Sequence, residues 1–460
     1  MSGITDVVVV GGGISGLTAA YRLKQRGVAF RLLEASSRLG GVIRTESRDG
    51  FLFEGGPDTL LAQKPQGVAL CMELGLGPRL VPTNPDHRSI FVLHRGRLHP
   101  LPEGMVLAVP TRVGPMLRSG LFSWPGKLRM GLDLVRPARR EEGDESIAAF
   151  LRRRFGQEVV DRLGEPLLAG IHAGDPERLS IRASFPRFVD LEKRYGSLIR
   201  GLWTSTPPSK PGSVAFYSLA GGLGELVEAL EAQLTPTDIY KDTEVTGFER
   251  ESGGAFRISA GPRTIIARSV ILALPPARSA DLARGLSSSL GQSLGELRSS
   301  STATVCLGFR RENVENPLLG YGLLVPASER MRTTGCSFFS TKFPGRAPAG
   351  SVLLRGFLGG HRDPGILDLD DAALMALVVS DMTPVLGIRG APVMARVFRW
   401  PRGTPQLEVG HLERVAAMES QLRGVPGLYL AGAGVRATGI PDSIAQGTAA
   451  AAEAAAFLAG

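Results

Sequence analysis

The sequence predicts an α/β fold: a helix-covered parallel sheet assembled from both ends of the chain, with a mixed sheet and an inserted helical domain between them. Three observations predict it. Residues 4–10 are a β-branched run, apolar from Val7 to Val10, the pattern of a strand buried on both faces. A glycine turn comes directly after it, and then Leu17, Ala20, Tyr21 and Leu23 recur at helical spacing. The far end of the chain repeats the order: a short apolar strand from Leu428 enters the turn Ala431-Gly432-Ala433-Gly434, and an alanine-rich helix runs to residue 459. At roughly 150 residues per domain, 460 residues imply two to three domains.

The first turn, Gly11-Gly12-Gly13-Ile14-Ser15-Gly16, fits GxGxxG. Gly11 permits a tight strand-to-helix turn, Gly13 lets a pyrophosphate approach the backbone, and Gly16 lets the helix sit close on the strand. The helix N-terminus adds unpaired N–H groups and partial positive charge for phosphates. A second apolar segment, 28–33, ends in Glu34, whose carboxylate can accept hydrogen bonds from ribose hydroxyls. Strand, glycine loop, helix and acid in this order predict a Rossmann-like domain holding an adenine dinucleotide.

The segment after Glu34 selects the dinucleotide. Glu34-Ala35-Ser36-Ser37-Arg38-Leu39-Gly40-Gly41-Val42 resembles the ExxxRxGG extension of two-domain flavoenzymes. Its double glycine lets backbone lie against the flavin-side phosphates, whose charge Arg38 can neutralise. Phe53-Glu54-Gly55-Gly56-Pro57-Asp58-Thr59 resembles the flavin-contacting turn of the same group. Gly221-Gly222-Leu223-Gly224 lacks a preceding hydrophobic strand, so no second dinucleotide site for NAD(P)H is expected. Electrons must therefore enter from a substrate and leave to oxygen or a quinone, as in an oxidase or desaturase. At the C-terminal end Ile440-Pro441-Asp442 opens the last helix, whose N-terminus is expected to face the isoalloxazine and stabilise its reduced anion.

The expected organisation is a two-dinucleotide-binding-type FAD domain (1–85, 212–290, 395–460), a mixed-sheet substrate domain (86–97, 291–394) and a helical, membrane-associating insert (98–211). Residues 218–234 read as an amphipathic helix, and 239–248 and 270–276 as strands. Further strands are expected at 304–309, 322–325 and 352–358, in a sheet that roofs the flavin, and 90–205 as mostly helical. Within the insert, residues 101–140 carry seven basic side chains against Glu103 and Asp133. Interleaved among them are Met105, Leu107, Leu117, Leu121, Phe122, Trp124, Leu128, Met130 and Leu132. Large apolar groups with excess positive charge suit a peripheral, non-spanning membrane contact.

Composition excludes other classes. A chain 43% hydrophobic and 21% charged is neither disordered nor fibrous. Three widely spaced cysteines make neither a disulfide framework nor a CxxC site, and six scattered histidines form no metal constellation. No uncharged apolar run approaches the roughly 18 residues of a membrane span, and ordered sequence is expected from residue 4, leaving no room for a signal or transit peptide. The net charge of +9 rests largely on arginine, without the basic helix or aromatic array of a nucleic-acid binder.

The GGGISG start, the RLGG doublet and the run Leu430-Ala431-Gly432-Ala433-Gly434 with Gly439-Ile440-Pro441-Asp442-Ser443-Ile444-Ala445-Gln446-Gly447 together resemble the monoamine-oxidase and phytoene-desaturase superfamily. Within it, several motifs resemble the oxygen-dependent protoporphyrinogen IX oxidases: Leu98-His99-Pro100-Leu101-Pro102, Glu165-Pro166-Leu167-Leu168-Ala169-Gly170-Ile171-His172-Ala173-Gly174-Asp175, Leu191-Glu192-Lys193-Arg194-Tyr195-Gly196-Ser197 and Phe343-Pro344-Gly345-Arg346-Ala347-Pro348. The resemblance spans essentially the whole chain. It implies three two-electron oxidations of protoporphyrinogen IX, non-covalent FAD, O2 as acceptor and hydrogen peroxide as by-product. It also implies a cytoplasmic protein peripheral to the inner membrane, a homodimer, and hand-off of product to a ferrochelatase. Arg88, or Arg95 in the next turn, matches the family arginine that meets a propionate. Phe357 matches the aromatic that stacks on the tetrapyrrole, Leu324 and Phe338 its apolar walls, and Gly170 and Ala173 the small-residue turn beside them. Val245 and Trp400 join the cofactor contacts. Asp58 departs from the residues that plant and animal members carry there. No residue is required as a general base, because hydride removal from an electron-rich porphyrinogen needs orientation above all. The rival readings are a coproporphyrinogen III oxidase, a flavin amine oxidase, or a non-catalytic binding protein that keeps the fold.

Overall fold

The computed structural model describes residues 4–205, 214–436 and 438–460; the expected boundary at 211–212 lies outside them. The first sheet runs in the order Ile239–Tyr240, Phe30–Leu33, Thr5–Val10, Arg263–Leu272, Phe256–Ala260, Val245–Arg250, with Leu428–Leu430 also paired to Arg263–Leu272. The pairs from Ile239–Tyr240 through Arg263–Leu272, and Leu428–Leu430, are parallel. Because both faces are covered, Val7 and Val9 enter one core and Val8 and Val10 the other. The helices Ile14–Gln25 and Ile440–Ala459 pack together on the first of these faces. A Cβ on Gly447 would lie 2.2 Å from the Ser15 carbonyl oxygen, so only glycine permits that approach.

Two element expectations are corrected. The run 239–248 is split at Asp242, which is left-handed at φ 51°. Its first half pairs with Phe30–Leu33 and its second with Phe256–Ala260, because the polar Lys241-Asp242-Thr243 turn hydrogen-bonds to Ser36 and Glu34. The helix expected from 218 begins only at Gly224; Phe216–Leu219 is a strand in a small antiparallel sheet with Leu60–Leu61 and Leu80–Pro82. The glycine turn 221–224 thus does come after a hydrophobic strand. Its N–H groups are taken, however: Gly221 donates to Glu225, Leu223 to Glu54 and Gly224 to Thr45. The turn is therefore spent on its own fold rather than on cradling a phosphate.

The second sheet is mixed, in the order Met394–Pro405, Ser299–Arg310, Ser351–Gly359, Thr333–Phe338, Gly322–Leu324, Ile90–His94, Arg97–Pro100. One face packs on the helix Asp371–Leu386, where Gly356 lies against Val378. The stretch 90–110, expected within the mostly helical region, is strand and turn instead, with prolines at 100, 102 and 110 that cannot donate within a helix. From Val113 onward the insert is helical. Its interior holds a charged knot: fully buried Arg154 reaches Asp133 (3.3 Å) and Glu192 (3.2 Å), while Asp133 accepts hydrogen bonds from Ser197 and Ile199. Paired in this way, the buried charges fix how the helices meet.

Candidate active site

The dinucleotide cradle is built from backbone. Gly11 sits at φ 103°, and a Cβ there would lie 2.5 Å from the Ala273 carbonyl; a Cβ on Gly16 would lie 1.8 Å from that of Gly11. A Cβ on Gly13 would meet no protein atom within 4 Å, which leaves open the place a pyrophosphate would take. No side chain caps the helix that begins at Ile14, so its first N–H groups, including that of buried Ser15, remain for an anion. Glu34 steadies the loop by accepting from the Gly12 N–H (2.7 Å) and from Ser36. Ala35 is exposed beside it. Arg38 donates to the carbonyls of Leu39, Gly41 and Ile43, and so braces the RLGG turn as well as carrying charge. Gly40 pairs with Gly13, and Val42 next to it is an exposed apolar side chain at the rim.

The 53–59 turn closes over this loop. A Cβ on Gly56 would lie 1.8 Å from the Val42 carbonyl, and the Trp400 indole donates to Gly55 O (2.9 Å). Pro57, Asp58 and Thr59 come next, at half-buried positions. Lys342 (3.0 Å) and Arg355 (2.7 Å) hold Asp58; burial alone would raise its pKa, and these cations lower it below the ordinary aspartate value. Glu54 is fully buried, and desolvation pushes it up to about 7. Gly432, at φ 116°, faces Ser15, bringing the last strand's turn over the glycine loop. The helix opening at Ile440 and Pro441 also has no side-chain cap, and Asp442 in its first turn binds Lys64 (2.7 Å). Val245 lies in the buried cluster that contains Leu33. Two uncapped helix N-termini and the opening above Gly13 fit a dinucleotide of two phosphates.

On its other face the mixed sheet presents one row of paired residues: Val92, Leu324, Gly335, Phe357, Thr304 and Phe398. Gly335 leaves a gap between Leu324 and the half-buried Phe357. The helix Glu165–His172 stands opposite, where a Cβ on Gly170 would lie 3.3 Å from Leu324 Cδ2. Ala173 ends that helix in the left-handed region at φ 49°, and its carbonyl accepts from His361 N–H (3.1 Å). Glu165 pairs with Arg362, which also donates to Val325 O (2.7 Å). These contacts tie both ends of the helix to the edge of the sheet. A π turn, Val160–Gly164, precedes the helix, next to Pro166, which has no N–H to continue a regular ladder.

The structure does not bring every expected residue to this slot. Phe338 is fully buried on the opposite face, with Phe91 and the Asp371–Leu386 helix, because the strand's two-residue period sends 336 and 338 away from Gly335. Arg88 and Arg95 are both exposed, one before and one after the strand Ile90–His94, which puts them roughly 20 Å apart. Burial lowers the His172 pKa to about 4, with Lys64 adding to the effect, so its imidazole is neutral near pH 7. Sequence reasoning does not reach Arg355 or Gly335. A lone arginine in the apolar run Ser351–Gly359 is the available signal for the first; nothing local marks the second.

Fold and cradle define a flavin-dependent oxidoreductase with FAD as its cofactor. The chain belongs to the flavin-containing amine oxidoreductase family, whose model matches residues 14–455. It is 37% identical to the coproporphyrinogen III oxidase of Bacillus subtilis, over 99% of both chains. It is 32% identical to chloroplastic protoporphyrinogen oxidase 1 of Spinacia oleracea, over 93% of this chain and 80% of that one. The crystal structure of a provisionally assigned protoporphyrinogen oxidase from Exiguobacterium sp. 255-15 superposes with a TM-score of 0.89 at 31% identity, covering 100% of both chains. The chain is therefore an oxidase enzyme.

Proposed function

We propose that this enzyme oxidises a porphyrinogen to the porphyrin in haem biosynthesis, and that its substrate is coproporphyrinogen III. The observation that carries this reading is the slot: a glycine gap between Leu324 and Phe357, faced by Gly170. In this reading a flat apolar macrocycle lies against Phe357, with the small-residue helix opposite. The 37% identity to a bacterial coproporphyrinogen III oxidase over 99% of both chains supports the same choice. Protoporphyrinogen IX, the substrate implied by the motif resemblance, is the second reading, and the relatives in chloroplasts favour it.

Bound FAD would supply a two-electron acceptor that O2 restores. Three rounds remove six electrons and six protons, so three O2 become three H2O2. The chain's part is orientation: Phe357 and Leu324 set the plane of the macrocycle. Neutral His172 lends the slot no charge.

Peripheral membrane contact is part of the proposal. Val113, Leu117, Trp124, Leu128, Leu132 and Val135 project from the insert, Leu128 72% and Val135 74% exposed, and Lys127 stacks on Trp124. Leu121, Phe122 and Met130 of the same stretch are core. Among the described residues no helix is long and apolar enough to cross a membrane.

The test is anaerobic mixing with each porphyrinogen, monitored at the flavin band, and then porphyrin fluorescence after air is admitted. Faster bleaching by coproporphyrinogen III supports the first reading, equal or faster bleaching by protoporphyrinogen IX the second, and bleaching by neither overturns both.

A further inference from the structure

Behind the 53–59 turn lies a cluster of ionisable side chains withdrawn from water: Glu54, Asp58, Lys342, Arg346 and Arg355. Glu54 is 0% exposed and both arginines are 1% exposed. Asp58 is shared by two cations, Arg355 through Nη1 (2.7 Å) and Lys342 through Nζ (3.0 and 3.1 Å). Arg346 binds only neutral acceptors, the carbonyls of Leu219 and Ala220 (2.6 Å each) and the Ser218 hydroxyl (3.1 Å). Glu54 is likewise held by neutral donors, the Leu223 N–H (2.6 Å) and the Thr45 hydroxyl (2.8 Å). Cations outnumber carboxylates even when both acids are ionised. Net charge buried in this way is costly unless an opposite charge arrives.

Arg355 has a second property. Its Nη2 donates to Gly56 O (2.7 Å) on the turn, and its guanidinium carbon lies 5.3 Å from the centroid of the Phe357 ring. The strand Ser351–Gly359 sends residues 353, 355 and 357 to one face, so the arginine stands between the turn over the cradle and the aromatic of the slot. It is the cluster's one side chain that touches both.

We propose that Arg355, with Lys342 and Asp58, is an electrostatic positioning device: its net positive charge offsets the negative charge a bound flavin gains on reduction, and its planar fork sets Phe357 against the 53–59 turn. The inference rests on the flavin-dependent reading of the cradle. Charge beside the isoalloxazine tunes its electronics, and in a dry site a fixed cation acts far more strongly than in water.

Four substitutions test it. Sulfite, which forms an anionic adduct with oxidised flavin, is titrated spectrally into the flavin-loaded proteins. Arg355→Gln and Lys342→Met should each weaken sulfite binding about tenfold, equivalent to about 30 mV on a two-electron couple. Asp58→Asn should strengthen it by a similar factor, because it removes the only anion of the triad. Arg355→Lys should hold sulfite affinity near wild type while raising KM, since the charge stays and the fork on Gly56 and Phe357 is lost. A role limited to packing would move all variants one way, or none, and that result overturns the proposal. If Arg355→Gln does not fold, the opposed shifts of Lys342→Met and Asp58→Asn decide alone. Wild type that purifies without flavin or leaves both porphyrinogens untouched defeats the functional reading instead; active wild type with unshifted variants defeats only this inference.

Discussion

Glycines in one loop do different physical work, and substitution separates them. Gly13 has φ −70°, which any residue adopts, and open space where its Cβ would stand. Gly13→Val should therefore leave the apoprotein folded and abolish flavin binding, read as a lost 450 nm band with an unchanged melting temperature; a yellow variant would contradict the cradle. Gly16→Ala would instead drive a methyl into the Gly11 carbonyl and destabilise the fold itself. Glu54 titrates at the same scale. Its folded pKa is raised to about 7 by burial, above the unfolded value near 4.5. The native state thus binds the extra proton, and Glu54's stabilising contribution is present in full below pH 4.5 and lost as pH rises through 7. At about 1.4 kcal/mol per unit, the loss over these 2.5 units is about 3–4 kcal/mol. Glu54→Gln, which can still accept from Leu223 and donate to Thr45, should flatten this part of the urea-stability profile between pH 5 and 8. An unchanged slope would place the titration elsewhere.

At the scale of elements, the slot depends on register. Leu324, Gly335 and Phe357 belong to three different strands and meet only because their pairing aligns them. Gly335→Val should fill the gap and reduce kcat/KM at least tenfold with flavin content retained; wild-type kinetics would show that the macrocycle lies elsewhere. Such a row is not legible in the sequence. Period-two alternation places Phe338 and Phe357 on faces only once the strand partners are known, which is why an aromatic expected in the slot lies in the opposite core. The cradle is legible because it is local: strand, glycine turn, helix and acid occupy 31 consecutive residues, from Ile4 to Glu34. Position 242 shows the limit on strands, since an apolar run on both sides of a left-handed aspartate reads as one element and folds as two.

Viewed as a whole, the molecule commits most of its charges to internal partners and leaves one basic stretch with its apolar side chains uncovered. Most cations are committed to partners: Arg153 and Arg154 to the insert's buried acids, Arg346 and Arg355 to the turn over the cradle, Arg362 to Glu165. The uncovered apolar side chains concentrate on one short stretch of the helical insert, 113–135, with Lys127 among them. A patch of this kind on a protein surface marks a contact site, and insertion at the headgroup boundary would give it an apolar neighbour. The slot helix Glu165–His172 belongs to the same insert, so a docked insert would hold the slot near the source of an amphiphilic substrate. Binding to anionic vesicles should weaken as salt rises from 50 to 500 mM, because the Debye length falls below the spacing of such charges. The double variant Leu128→Asp, Val135→Asp should lower vesicle affinity at least tenfold, since it removes two apolar anchors and adds two negative charges. Both positions are far more than half exposed, so turnover of dissolved porphyrinogen and the melting temperature should stay within error of wild type. Equal vesicle binding by variant and wild type would show that the exposed stretch serves something other than a membrane.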